Sequence, residues 1–276
     1  MALIRATMNS RSLHRPMRFM AVLPIDGMFM PPPDPNAPPL RTMYLLHGYS
    51  GSTASWVTEG WPLGEWAERY RLAIIMPEGE NSFYVDHFTR RDFYGEFIGR
   101  ELVDFTRRLF PLSHERSDTL IAGLSMGGFG ALRNGMKYSD TFGHVISASA
   151  ANVRDELREA TDEPNHVGAT RGYFASVFGD LDAVEETDRS LDGCARELAA
   201  SCRPRPDIFF GVGTNDMLMT PNRHFRDTLT SLGIEHTYAE IPGTHEPAVF
   251  IPLISQGLAR VIKDAAPEPP NPFTVG

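Results

Sequence analysis

The chain has 276 residues, 42% of them hydrophobic and 22% charged, which is enough apolar material for the core of one large α/β domain. Its formal net charge of −9, with no run of Lys or Arg, excludes the basic surface of a nucleic-acid binder. Nowhere do about 18 apolar residues run together, which excludes a membrane-spanning helix, and two cysteines, Cys194 and Cys202, cannot build a disulfide framework. The opening MALIRATMNSRSLHRPM has no apolar core long enough for a signal peptide, because Arg5 interrupts it. The expected address is therefore the cytoplasm, with both thiols reduced.

In chain order, LIRATM and MRFMAVLP alternate like short strands around a polar turn and predict a hairpin. MPPPDPNAPP, Met30 to Pro39, holds six prolines in ten residues, which predicts a stiff extended loop. Met43 to Leu46 is a buried strand running into a glycine-containing loop. WPLGEWAERY then places Leu63, Trp66, Ala67 and Tyr70 at helical spacing. LAIIMP is a core strand stopped by Pro77. Phe97, Ile98, Leu102, Phe105 and Leu109 fall on one helical face, followed by the strand TLIAG, a helix after Ser125 and the strand HVISASA.

Residues 152–205 break this rhythm. They are polar with short apolar patches and are expected as an irregular, cap-like excursion that shapes a pocket. DIFFGVG restores a core strand, and PNRHFRDTLTSLG is a helix with Phe225, Leu229 and Leu232 on one face and Gly233 at its end. HTYAEI and FIPLISQGLARVIKD complete the series as strand and helix. Strands alternating with amphipathic helices imply an α/β fold: a mostly parallel central sheet with helices on both faces. One domain over residues 1–265 and a disordered tail at 266–276 are expected.

Gly123-Leu124-Ser125-Met126-Gly127 is a G-x-S-x-G motif with an apolar strand before it and a helix after it. In that context the glycines permit a tight, strained turn. The turn lifts the serine hydroxyl off the end of the strand and leaves the Met126 N–H facing a developing oxyanion. A serine hydroxyl is a poor nucleophile at neutral pH and needs a base.

With the chain order nucleophile, acid, base, His14, His47, His87 and His114 come too early. His144 and His236 begin strands and His224 lies within a helix. His166, in the excursion, stays a weak rival. His245, in EIPGTHEPA, follows a strand and a turn and is the better candidate. Asp216 sits just past DIFFGVG, where it can hold the His245 tautomer and stabilise the imidazolium. Asp207 and Asp227 lie inside elements and do not fit. In LLHGYSG, Gly48 lets the backbone approach a carbonyl, making the Tyr49 N–H the second oxyanion donor, with Ser50 open as an alternative. His47 is expected to brace that loop. Trp56 and Trp61 read equally as pocket-lining or core residues.

YLLHGYSGS, IAGLSMGGFGAL, FGDL at Phe178 to Leu181, GTND and PGTHE together resemble the tributyrin-esterase branch of the esterase D-like family. That family also includes S-formylglutathione hydrolases, feruloyl esterases and mycolyltransferases. The resemblance spans roughly residues 4 to 263. It implies an α/β-hydrolase fold and hydrolysis of short-chain carboxylesters, with no metal and no cofactor. It places nucleophile, acid and base on Ser125, Asp216 and His245, and the backbone donors on Tyr49 and Met126.

Two departures stand out: Pro247 occupies the place of an aromatic residue after the base, and the proline-rich insertion is unusual. A thioesterase would use the same residues, although those relatives resemble GHSMGGHGA where this chain has GLSMGGFGA. An acyltransferase would differ in its acceptor, and a non-enzymatic binder would lack part of the site. The expected partner is a small-molecule ester, with neither nucleic acid nor membrane. Homo-oligomerisation is left open.

Overall fold

The first two strands, β1 (Ala2–Ser10) and β2 (Arg15–Leu23), pair antiparallel as the expected hairpin. In this computed structural model residues 1–26, 36–263 and 265 are described. Most of the expected proline-rich loop (30–35) and the tail at 266–276 lie outside the described residues. Strands β3 (Arg41–Leu46), β4 (Leu72–Pro77), β5 (Thr119–Leu124), β6 (His144–Ala148), β7 (Asp207–Gly213) and β8 (His236–Ile241) continue the sheet in the order β1-β2-β4-β3-β5-β6-β7-β8. From β4 to β8 every neighbouring pair is parallel. The chain therefore has an α/β-hydrolase fold.

Central strands buried on both faces need apolar residues at every position, and β4 is buried throughout. Tyr44, Leu46, Ile121 and Val145 point into one core with helices α2 (Leu102–Leu109), α3 (Met126–Lys137), α6 (Leu191–Ala200) and α7 (Met219–Ser231). Met43, Leu45, Leu120 and Ile146 point into the other, with α1 (Leu63–Tyr70) and α8 (Pro247–Val261). Trp56 and Trp61 belong to this second core, ring to ring at 4.7 Å, beside the loop that follows β3.

The helix ending in α2 corrects one expectation. A π-helical turn at Phe97–Glu101 adds a residue and rotates the following face. Burial then falls on Leu102, Val103 and Thr106, while Leu109 is 50% exposed. Residues 152–205, expected as irregular, carry three helices joined by loops: α4 (Arg154–Glu159), α5 (Arg171–Phe178) and α6. Thr170 and Ser190 cap α5 and α6 through the N–H groups of Tyr173 and Gly193. Helix α6 packs on α3 and α7 as part of the layer covering the sheet.

Helix α7 ends at Ser231 with Leu232 as its cap, and Gly233 follows with a φ of +63°, meeting the left-handed requirement of the terminus. Helix α8 starts three residues before the expected run, on Pro247 at its first position, where proline's missing N–H is harmless. On α3, wholly buried Arg133 binds Asp188 Oδ2 at 2.9 Å and Asp86 Oδ2 at 3.5 Å, and Lys137 reaches Asp86 at 2.9 Å. That network ties the helix behind Ser125 to the short strand Asp86–His87 and to the turn at Asp188.

Candidate active site

Between β5 and α3, Ser125 is the single connecting residue. Its φ of 54° and ψ of −121° lie where a side-chain-bearing residue is strained by on the order of 1–3 kcal/mol. The flanking glycines are dictated by close backbone approach. A Cβ on Gly123 would sit 2.3 Å from the Gly127 carbonyl oxygen, and one on Gly127 2.0 Å from that of Leu46. The turn is therefore pressed against the end of β3. The Ser125 N–H donates to the Ala148 carbonyl at 2.9 Å, and its own carbonyl accepts from Phe129 and Ala151.

The loops after β7 and β8 meet above this turn. Thr214 and Asn215 donate backbone N–H groups to the carbonyls of Ile241 and Gly243 at 2.8 and 2.9 Å. That contact brings Asp216 and His245 together. His245 Nδ1 lies 2.9 Å from Asp216 Oδ2 and its Nε2 lies 3.0 Å from Ser125 Oγ. With Nδ1–H donated to a carboxylate, Nε2 carries the lone pair facing the serine hydroxyl. The Asp216 side chain is fully buried, whereas that of His245 is 25% exposed. Burial pulls the Asp216 carboxyl upward. The hydrogen bond from His245 and the Leu218 N–H, 2.9 Å from Oδ1, outweigh it, and the group is held below the ordinary aspartate range. Phe250 of α8 sets its ring edge-on to the imidazole at 4.9 Å. Pro247, the departure noted in the sequence, starts the helix that delivers this aromatic contact. His166 lines the same cavity but has no hydrogen bond to Ser125 among the described residues.

The loop after β3 carries the backbone N–H groups expected as oxyanion donors. His47 is buried and spans the loop's base: Nε2 accepts from the Gly79 N–H at 2.9 Å, and Nδ1 donates to the Gly48 carbonyl at 2.8 Å. This is the bracing position expected for it. The Ser50 N–H is taken by Asn81 Oδ1 at 2.8 Å, which leaves Tyr49 as the better oxyanion candidate of the two. Tyr49 and Met126 line one cavity with Ser125 and His245. Tyr173 packs edge-on to Tyr49 at 5.8 Å and donates its hydroxyl to the Asn81 carbonyl, so α5 supports the same loop.

The cavity measures about 140 Å³. Phe83, Val153, Ala169, Phe174 and Leu218 give it apolar walls, and Glu156 and His166 add polar groups. Asn81, Tyr173, Phe250 and Glu156 were missed by sequence reasoning. No local motif marks any of them, although the hydrophobic spacing of the last helix could have drawn attention to Phe250.

Comparisons with known proteins give the family of the chain. The Esterase family model matches residues 10–261. An acetyl esterase of Caldicellulosiruptor saccharolyticus is 35% identical over 249 residues, covering 89% of this chain and 92% of that protein. The S-formylglutathione hydrolase FrmB of Staphylococcus aureus superposes with a TM-score of 0.80 at 25% identity, covering 95% of this chain and 98% of that one. FphF, a fluorophosphonate-binding serine hydrolase of Staphylococcus aureus, gives a TM-score of 0.82 at 25% identity, with 95% and 99% covered. Among the described residues no helix is long and apolar enough to cross a membrane. This chain belongs to the esterase D-like branch of the α/β-hydrolases and is a carboxylic ester hydrolase.

Proposed function

We propose that the protein is a cytoplasmic serine carboxylesterase that cleaves short-chain acyl esters, of acetyl to butyryl size, through an acyl-enzyme on Ser125. His245 Nε2 takes the hydroxyl proton as Ser125 Oγ attacks the ester carbonyl. The carbonyl oxygen becomes an oxyanion that accepts hydrogen bonds from the backbone N–H groups of Tyr49 and Met126. As the tetrahedral intermediate collapses, the C–O bond to the alcohol breaks and His245 returns its proton to the departing oxygen. Water then attacks the acyl-serine with His245 again as base, releasing the carboxylic acid and restoring Ser125. Throughout, Asp216 holds Nδ1–H and balances the imidazolium charge.

The unbroken run Asp216–His245–Ser125, at 2.9 and 3.0 Å, carries this reading. A cavity of about 140 Å³ supports the short acyl preference, since such a volume holds a group no larger than about a benzene ring. Hydrolysis of p-nitrophenyl esters of graded acyl length by the wild type and Ser125→Ala tests it. Turnover of the short esters, abolished in the folded variant, is the expected result. A folded wild type that cleaves none of them would end the proposal.

A second reading, an S-formylglutathione hydrolase-type thioesterase, is favoured by the likeness to FrmB over nearly the whole chain. It is separated by the ratio of kcat/KM for S-formylglutathione to that for the best oxygen ester.

A further inference from the structure

We propose that Glu156 makes the cavity around Ser125 reject acyl groups that carry a negative charge, so that neutral acyl esters are the substrates. The inference rests on the esterase reading above and adds the charge class of the substrate to it. Glu156 lies on α4 and lines the cavity shared by Ser125, Tyr49, Met126 and His245. Among the described residues it is the one carboxylate in that lining, and neither Lys nor Arg joins it. The basic groups facing the same space are the imidazoles of His166 and His245.

An acyl group ending in a carboxylate would thus enter an apolar space with no cationic fork to receive it. It would exchange water for a lining whose polar side chains, Asn165 and His166 among them, include no Lys or Arg, which is costly in itself, and would face a like charge in a region of low dielectric. Glu156 makes no ion pair among the described residues. The charges acting on it include Asp155 and Glu159 on its own helix, with His166 as the opposing group. Burial, followed by the repulsion from Asp155, raises its carboxyl above the ordinary glutamate range, as befits a group facing the cavity interior. An acidic residue in a first helical turn has an ordinary role in stabilising the helix terminus. That role does not place the side chain in a substrate cavity.

Two methyl esters of matched shape test the idea: methyl levulinate, ending in a ketone methyl, and monomethyl succinate, ending in a carboxylate. kcat/KM is measured for both by pH-stat titration at pH 8, with the wild type, Glu156→Gln and Glu156→Lys. The wild type is expected to prefer the levulinate ester by about tenfold or more. Glu156→Gln should bring the ratio down about tenfold, and Glu156→Lys should move it further toward succinate. Because the ratio is internal to each variant, a general loss of activity cancels. Equal rates on both esters in the wild type, or a ratio that survives both substitutions, would overturn the proposal. Failure of the esterase reading shows separately, as no turnover of p-nitrophenyl acetate by folded wild type. The two esters are then compared as ligands by their shift of the melting temperature, with the same order expected and an equal shift counting against the proposal.

Discussion

Replacing Asp216 by Asn changes one oxygen for one NH₂ group, and the structure dictates which way the new amide turns. The Leu218 N–H donates to Oδ1 at 2.9 Å, so that position demands an acceptor and holds the amide oxygen. The NH₂ group is left facing His245 Nδ1 across the 2.9 Å contact that now joins Nδ1 to Oδ2. Two donors cannot share that contact. His245 must shift its proton to Nε2, where it points at Ser125 Oγ and can no longer accept the hydroxyl proton.

A base lost to the wrong tautomer lowers kcat by about 10⁴-fold, equivalent to about 5.5 kcal/mol of barrier. The fold should be little disturbed, since Asn fills the same buried space. The assay is steady-state hydrolysis of p-nitrophenyl acetate, with circular dichroism to confirm folding. The double variant with Ser125→Ala should be hardly worse than Ser125→Ala alone, because the residues act as one unit. A folded Asp216→Asn variant that keeps kcat within about tenfold of the wild type would refute the orienting role argued here.

Because the folded-state Asp216 carboxyl is held below its unfolded value, its stabilising contribution is fully present above about pH 4. It is lost as pH falls through the lowered folded value, so acid titration of the melting temperature should narrow the gap between wild type and Asp216→Asn. Gly127→Ala forces a Cβ to within 2.0 Å of the Leu46 carbonyl oxygen. It should cost about 2–4 kcal/mol in urea unfolding and more than about a hundredfold in activity; a stable, active variant would mean the turn is not confined as described. Asn81→Ala releases the Ser50 N–H and should lower kcat by about tenfold with KM nearly unchanged. A change in KM alone would count against a role in fixing the oxyanion loop. Arg133→Met strands Asp86 and Asp188 beside a single lysine and should destabilise the protein by about 3–5 kcal/mol, read as the shift in urea midpoint.

Much of this architecture is legible in the sequence because the signals are local. The two-sided burial of β4, the spacing of Leu63, Trp66, Ala67 and Tyr70, and the glycines around Ser125 each follow from residues close along the chain. Ser125, Asp216 and His245, which the structure brings within hydrogen-bonding distance, each follow the end of a strand, a position that chain order makes visible. The failures are equally physical. A π-helical turn leaves no composition signature, so the exposed face at Leu109 could not be anticipated from a period of 3.6. Helix α6 stands behind a polar stretch whose charges pair in space, as Arg154 does with Glu185, and local polarity therefore read as irregularity. Asn81 acquires its role only when its loop meets the one after β3, a tertiary contact that no spacing rule contains. Phe250 is different: it stands five residues from His245 and faces it because α8 starts at Pro247.

The convergence of three side chains from distant parts of the chain has its cause in the backbone. Beyond the last residue of β5, the Ser125 N–H bonds the carbonyl of Ala148 at the end of β6. Just past β6, the Ser149 N–H bonds Gly211 within β7 at 2.7 Å, and past β7 the Thr214 and Asn215 N–H groups bond Ile241 and Gly243. Each strand's exit is thus tied to the next strand in the sheet, carrying the parallel ladder one or two residues into the loops. The side chains on these exits inherit the rigidity of the sheet, while their positions outside the strands keep them open to the cavity. Placement fixed this way is settled before any substrate arrives, which is the condition for oriented donors and a correctly held imidazole to act without reorganising during reaction. It also explains why the strain sits at Ser125 alone among the three. That residue must turn from strand to helix with no intervening loop, and the bond to Ala148 holds it in the turn.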